Sequence, residues 1–295
     1  MKHLIYYRIA DIVICVSFDF IYKAENGYMN QFVLEEPETP DYYFEFKAIQ
    51  NIQPFLKKAP YFKGAMHLFH YYQDEAEREY CFHVKDTYYH AVTVLEEKRG
   101  HCFYISQEWL REQVEGGYYL ENFFCLEKIL MKFQCMTLHS CHIQKDGQAI
   151  LFSAPSGTGK STQGDLWQQH AGAEVINGDR TAIRKADGHW MAYGLPFCGT
   201  SGIHKNKQAP IRAVIILRQY SENQVSMLQG KKAFSAIYSE LTVNAWNREF
   251  VEEAIQWTLN LAEEIPIYQF LCTKDSDAVF VLQDYMERKE RNQEE

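Results

Sequence analysis

The stretch AILFSAPSGTGKSTQGDLW, Ala149–Trp167, constrains this chain more than any other. The turn signal Asp146-Gly147 precedes a short apolar run, Ala149–Phe152, which reads as a strand. A glycine-containing loop follows, and Ser161–His170 can form a helix behind it. Backbone N–H groups of such a loop, with a helix N-terminus beyond, converge on phosphate oxygens. Lys160 adds a point charge for the β- and γ-phosphates, and the Ser161 hydroxyl suits a Mg²⁺ shell. The predicted nucleotide-binding set is therefore Ser156, Gly157, Thr158, Gly159, Lys160, Ser161 and Thr162. Ala154 stands where such loops usually begin with glycine, and Pro155 follows it. That position mainly lets the chain turn out of the strand. Alanine serves there provided φ is negative.

A Mg·ATP site also needs a carboxylate from a second strand. In AEVINGDRTAI, Ala173–Ile183, an apolar strand ends at Ile176 and Asp179 sits just past it. Asp179 can hold the metal, directly or through water, or act as a base toward an acceptor hydroxyl. The same residues also read as an Asn-Gly-Asp turn that only reverses the chain.

Composition narrows the class. The chain has 295 residues, 46% hydrophobic and 15% aromatic, enough for one large domain or two ordinary ones with packed cores. A net charge of -9 argues against general adhesion to nucleic acid. The eight cysteines, at 15, 81, 102, 125, 135, 141, 198 and 272, form no Cys-x-x-Cys pair. They read as reduced, mostly buried thiols of a cytoplasmic protein. The N-terminal run MKHLIYYRIADIVICVSF imitates a signal peptide, but Arg8 and Asp11 interrupt it. No 18-residue uncharged apolar stretch suggests a membrane span.

Residues 1–105 read as β-rich, with Ile12–Val16 and Thr87–Val94 as strands. His67, His70, His83 and His90 fit no metal-ligand spacing and read as solvated or core histidines. Helical spacing begins around Glu108–Phe133, which sets the expected domain boundary between 105 and 106. Asn247–Glu264 is a second helix, limited by Pro266. Ile265–Cys272 reads as a strand, Asp275–Glu287 as a last helix, and RKERNQEE as a fraying tail.

Four features together resemble the HPr kinase/phosphorylase catalytic domain and its relatives with the phosphoenolpyruvate carboxykinase-like fold. They are the loop SAPSGTGKST, the segment INGDR, His139 fifteen residues before Ala154, and the later order YGLPFCGTSGIHKNKQAPIRAVIILRQ, helix, IPIYQFLCTKDSDAVFVL. The resemblance spans about 135–285 and excludes the N-terminal half. It implies an α/β (α+β) fold, with a P-loop on a mixed sheet in residues 106–295, after a β-rich N-terminal domain. It implies ATP and Mg²⁺, and transfer of the γ-phosphoryl group to a hydroxyl, often serine. Lys160 would contact phosphates, Ser161 and Asp179 would hold Mg²⁺, and His139 would lie near the transferred group. The other reading of His139 is a strand-start histidine with a structural hydrogen bond.

Gly178 stands where the family has the first of two aspartates, so one carboxylate is lost. No segment matches the C-terminal signature by which the true enzymes recognise their carrier protein, which argues against HPr as acceptor. Gly199, Thr200, Ser201 and His204, with Lys205 and Lys207 close by, form either an anion-binding turn for the substrate or an ordinary loop. Arg180 and Arg212 are candidate charge-neutralising groups. The expected function is an ATP-dependent kinase acting on a small molecule, peptide or protein. The alternatives are a kinase that modifies peptide precursors and a nucleotide-sensing module without transfer. The resemblance also leaves a homo-oligomer open.

Overall fold

A computed structural model describes residues 3–20, 28–55, 62–63, 69–73, 79–85, 88–96, 100–115 and 125–294. The chain divides into two compact units, Met1–Ile129 and Leu130–Glu295.

The first unit is built on one mixed sheet of eight strands. In chain order these are β1 (His3–Ile9), β2 (Ile12–Phe18), β3 (Tyr42–Ile49), β4 (Phe62–Lys63), β5 (Phe69–Gln73), β6 (Glu79–Lys85), β7 (Tyr88–Glu96) and β8 (Gly100–Ser106). Their spatial order is β1-β2-β3-β8-β7-β6-β5-β4. The pairs β2–β3 and β3–β8 are parallel and the rest antiparallel. The signal-like N-terminal run is thus a β-hairpin, turning at Ala10 and Asp11, both at positive φ. Alternate residues of β3 and β8 put Phe44, Phe46 and Phe103 into the core. Helix α1 (Gln107–Glu115) packs on β8 and β3 through buried Trp109. It therefore belongs with the N-terminal strands, although its helical spacing is what suggested a boundary at 105/106. His83 is buried against the Thr93 hydroxyl at 3.0 Å, a core histidine. His67, and the side chain of His70, lie outside the described residues.

Of the helical region expected around Glu108–Phe133, residues 116–124 lie outside the described residues, and beyond them α2 covers Leu126–Met131. Cys125 and Gln134, both at positive φ, bracket it.

The second unit holds a second mixed sheet: β9 (Met136–Lys145), β10 (Gln148–Ser153), β11 (Glu174–Asn177), β12 (Arg180–Ala186), β13 (His189–Gly194), β14 (Gln208–Gln219), β15 (Gln224–Leu228) and β16 (Ile267–Cys272). β10 runs antiparallel to β9 and parallel to β14, which is parallel to β16. Helices cover both faces. Ile150 and Phe152 of β10 face α3 (Lys160–Ala171) and α6 (Asp277–Glu294), in a core with Trp167, Leu282 and Met286. Ala149 and Leu151 face the other way, toward α4 (Gly230–Tyr238) and α5 (Arg248–Glu264), in a core with Phe250, Trp257 and Leu261. This double burial explains why β10 is a continuous apolar run rather than an alternating one. Asn247 caps α5 by accepting from Phe250 N at 3.0 Å. The expected fraying tail instead continues α6 to Glu294. Arg212 holds Glu290 through two hydrogen bonds, and Gln283 and Glu287 pair one turn apart on its surface.

All eight cysteines are free thiols, six of them buried. Among the described residues no helix is long and apolar enough to cross a membrane.

One feature of β9 sets the site. Along one edge, β9 is followed by β12 at residues 136–139 and by β11 at 142–144. Along the other, β10 pairs with residues 140–145 only. Beyond the end of β10, the segment after α4 takes its place: Leu241 bridges Leu138, and His139 N donates to Glu240 O at 2.9 Å. The phosphate-type loop leaves the sheet at this exchange of partners, beside His139.

Candidate active site

Ala154 is fully buried and does not take a positive φ, so the loop leaves β10 without the usual glycine. Gly157 (φ +78°) and Gly159 (φ +110°) carry the left-handed turns, and their Cα hydrogens face open space. Gly159 is the N-cap residue of α3 and no side chain caps that end, so first-turn N–H groups stay available to an anion. Two anchors hold the loop. Lys160 Nζ donates to Ala154 O at 2.7 Å, and Gln219 Nε2 donates to Thr158 O at 3.2 Å. Lys160 is buried, and burial lowers its pKa, partly offset by the charges of Glu240 and Asp179.

The INGDR segment owes its shape to Asn177, which is fully buried and fully paired. Its Nδ2 donates to Leu195 O (2.9 Å) and Phe197 O (2.7 Å). Its Oδ1 accepts from Asp179 N and Arg180 N, both at 2.9 Å. The Asn-Gly-Asp turn is therefore present, and it is what presents Asp179. Asp179 Oδ1 lies 3.6 Å from His139 Nε2, and Oδ2 lies 3.4 Å from Arg180 Nε. The other ring nitrogen of His139, Nδ1, is 3.0 Å from Glu240 Oε2.

Position 178 has no room for a carboxylate. A Cβ there would lie 2.4 Å from Ser201 Oγ. That hydroxyl is held in place, donating to Cys198 O at 2.7 Å and accepting from Ile203 N at 3.2 Å. Gly199, at φ +53°, lies so near Asp179 that its own Cβ would meet the carboxyl carbon at 2.8 Å.

These elements enclose one cleft of about 380 Å³, a volume suited to a small ligand. It is lined by His139, Lys160, Ser161, Asp179, Thr200 and Ser201, along with other loop residues. Sequence reasoning had placed all six in the site from separate segments. Thr158, Gly199 and His204 are not among the lining residues. The His204 ring turns back to Gly202 O at 3.0 Å, and its backbone bridges Asn177. Lys205 and Lys207, expected as cations beside an anion-binding turn, pair instead with Glu174, and Arg212 pairs with Glu290. Glu240, Asn177 and Gln219 were missed. Asn177 carried a signal, an Asn before Gly that can bond its own backbone two residues on. Glu240 carried none, because only the tertiary fold brings it to β9.

The cleft fits a phosphate chain, since it combines unfilled glycine turns, an uncapped helix start and a buried ammonium. Asp179 and the Ser161 hydroxyl supply hard oxygen donors of the kind Mg²⁺ takes. Among the described residues no three His, Cys, Asp or Glu side chains gather as an all-protein metal cage.

The family model described as SynChlorMet cassette protein ScmC matches residues 121–275. The chain belongs to this family. The residues matched to the ScmC family include the whole lining of the cleft, from His139 to Ser201, and Glu240 beside His139. A solved structure of the Hpr(Ser) kinase/phosphatase from Coxiella burnetii is also similar to the chain. It is 10% identical, covers 53% of this chain and 97% of its own, and gives a TM-score of 0.31. No curated protein matches.

Proposed function

We propose that this chain is an ATP-dependent phosphotransferase, with the phosphoenolpyruvate carboxykinase-like P-loop arrangement, which passes the γ-phosphoryl group to a hydroxyl. The observation that carries this reading is the meeting of His139, Lys160, Ser161 and Asp179 in one cleft at the end of β10. The α3 N-terminus and the loop N–H groups hold the phosphates, and Lys160 exchanges its loop carbonyls for phosphate oxygens. Ser161 and Asp179 would hold Mg²⁺, which would supply neutralising charge to the phosphates. The acceptor oxygen bonds to the γ-phosphorus as the bond from that phosphorus to the β,γ-bridging oxygen breaks. ADP leaves, and the hydroxyl proton passes to the Asp179–His139 pair. Thr200 and Ser201, which also line the cleft, are left to meet the acceptor.

The test is Mg·ATP binding and turnover by the purified protein. Binding is expected to fall at least about tenfold in Lys160→Ala, from the loss of a charge-assisted phosphate contact. Binding unchanged in that variant would place the nucleotide elsewhere.

A second reading, nucleotide sensing without transfer, is favoured by the filled space at Gly178, which leaves Asp179 as the one carboxylate of the Asn-Gly-Asp turn. ATP turnover that disappears in Asp179→Asn would exclude it.

A further inference from the structure

We infer that Glu240 is a positioning residue of this site: it holds His139 so that Nε2, and not Nδ1, faces the cleft. The inference rests on the proposed phosphotransfer reading for what His139 then does, but not for the geometry itself.

Two independent bonds join the same two residues. His139 N donates to Glu240 O at 2.9 Å, which fixes the backbone, and His139 Nδ1 lies 3.0 Å from Glu240 Oε2, which fixes the ring. Neighbouring links, Leu138 to Leu241 and Thr242 N to Thr137 O at 2.9 Å, make Glu240 part of the sheet edge rather than a swinging side chain. The Glu240 side chain is only 12% exposed, against 30% for Asp179. Both ring nitrogens face a carboxylate, but only Nδ1 is within hydrogen-bond reach of one, at 3.0 Å from Glu240 against 3.6 Å for Nε2 from Asp179. The proton of the neutral imidazole therefore belongs on Nδ1 and leaves Nε2 without one. Nε2 is the nitrogen on the Asp179 side, 3.6 Å from Oδ1, in the cleft that also contains the Lys160 ammonium.

Glu240 thus brings a second carboxylate to a site whose Asn-Gly-Asp turn has room for only one, Asp179. At position 178 the Ser201 hydroxyl occupies the space. Glu240 instead reaches the site behind the imidazole, from a segment 101 residues along the chain from His139. An orienting carboxylate behind a histidine sets its tautomer and ring position without touching substrate.

The test has two readouts on the full chain. The first is histidine ¹⁵N NMR, which distinguishes a protonated from an unprotonated ring nitrogen. His139 is expected as the Nδ1–H tautomer in the wild type and in Glu240→Gln, whose amide oxygen still accepts, and as a mixture in Glu240→Ala. The second is Mg·ATP turnover with water as acceptor. kcat is expected to fall about 100-fold in Glu240→Ala and less than about 10-fold in Glu240→Gln, with KM for ATP within about twofold. A wild-type His139 protonated at Nε2, or a Glu240→Ala protein with unchanged tautomer, overturns the inference. If the wild type binds nucleotide but turns nothing over, the phosphotransfer reading fails, and the tautomer comparison still decides the part played by Glu240. If Glu240→Ala does not fold, Glu240→Asp takes its place. Its shorter side chain is expected to weaken the tautomer preference while the backbone bond remains.

Discussion

The Ser201 hydroxyl occupies the space that any side chain at Gly178 would need: a Cβ there would come within 2.4 Å of it. Gly178 and Ser201 are thus sterically matched to each other. Gly178→Asp alone is expected to displace the 199–201 turn and destabilise the protein by about 1–3 kcal/mol, as overpacking does. Gly178→Asp with Ser201→Gly removes the obstructing atoms and is expected to regain most of that loss. Urea denaturation of the two variants measures both. Equal destabilisation in the single and double variants would show that Ser201 is not the obstacle.

Asn177 makes four hydrogen bonds from full burial. Asn177→Ala leaves two carbonyls and two N–H groups without that partner. The expected cost is about 2–4 kcal/mol, at roughly 1 kcal/mol per net bond plus desolvation of the groups left unpaired. Asn177→Asp keeps the acceptor, loses the donor and buries a charge against two carbonyl oxygens, so it should be no better. Thermal unfolding of both variants checks this, and a loss under about 1 kcal/mol in each would contradict it.

Gln219 reaches across from β14 to the phosphate-type loop, donating to Thr158 O and, more weakly, to Gly157 O at 3.4 Å. Gln219→Ala releases the loop without touching a core. Stability should change by less than about 0.5 kcal/mol, as for surface substitutions. Mg·ATP affinity should fall about three- to tenfold, since the loop must then be ordered on binding. Calorimetric titration against the wild type separates the two effects.

His142 is fully buried on β9, and burial holds its pKa down to about 3 from an ordinary 6.5. His83, in the other unit, is held down to about 3 for the same reason. Between these values the unfolded chain binds protons that the folded chain refuses. Stability is therefore complete above about pH 6.5 and is lost as pH falls toward 3, with a slope approaching about 1.4 kcal/mol per pH unit for each histidine. His142→Asn should flatten the pH dependence of the urea midpoint by about one proton between pH 6 and 5, where most carboxylates are still ionised. An unchanged slope would mean that His142 takes up its proton without unfolding.

Local order carried most of what the sequence disclosed. The strand, loop and helix of Ala149–His170 and the capped helix after Asn247 are written in spacing and turn residues, and the structure reproduces them as β10, α3 and α5. The continuation of α6 through the charged tail was not legible, because the grip of Arg212 on Glu290 spans 78 residues. The parallel pairing of β10 with β14 was equally silent, since parallel neighbours are not joined by a tight turn. In the site, Lys160, Ser161 and Asp179 follow chain-local motifs. The turning away of Lys205 and Lys207 depends on Glu174, an acid no spacing rule connects to them.

The exchange of partners along β9 also orders events in time. The β9–β10 hairpin and α3 close over short sequence distances and can form early. The Glu240 contact spans 101 residues and pays a larger loop-closure entropy. The loop after β10 therefore depends on local contacts, while the placing of the His139 ring depends on a contact closed across 101 residues. Completion of the cleft therefore waits on the docking of the segment behind α4 against β9.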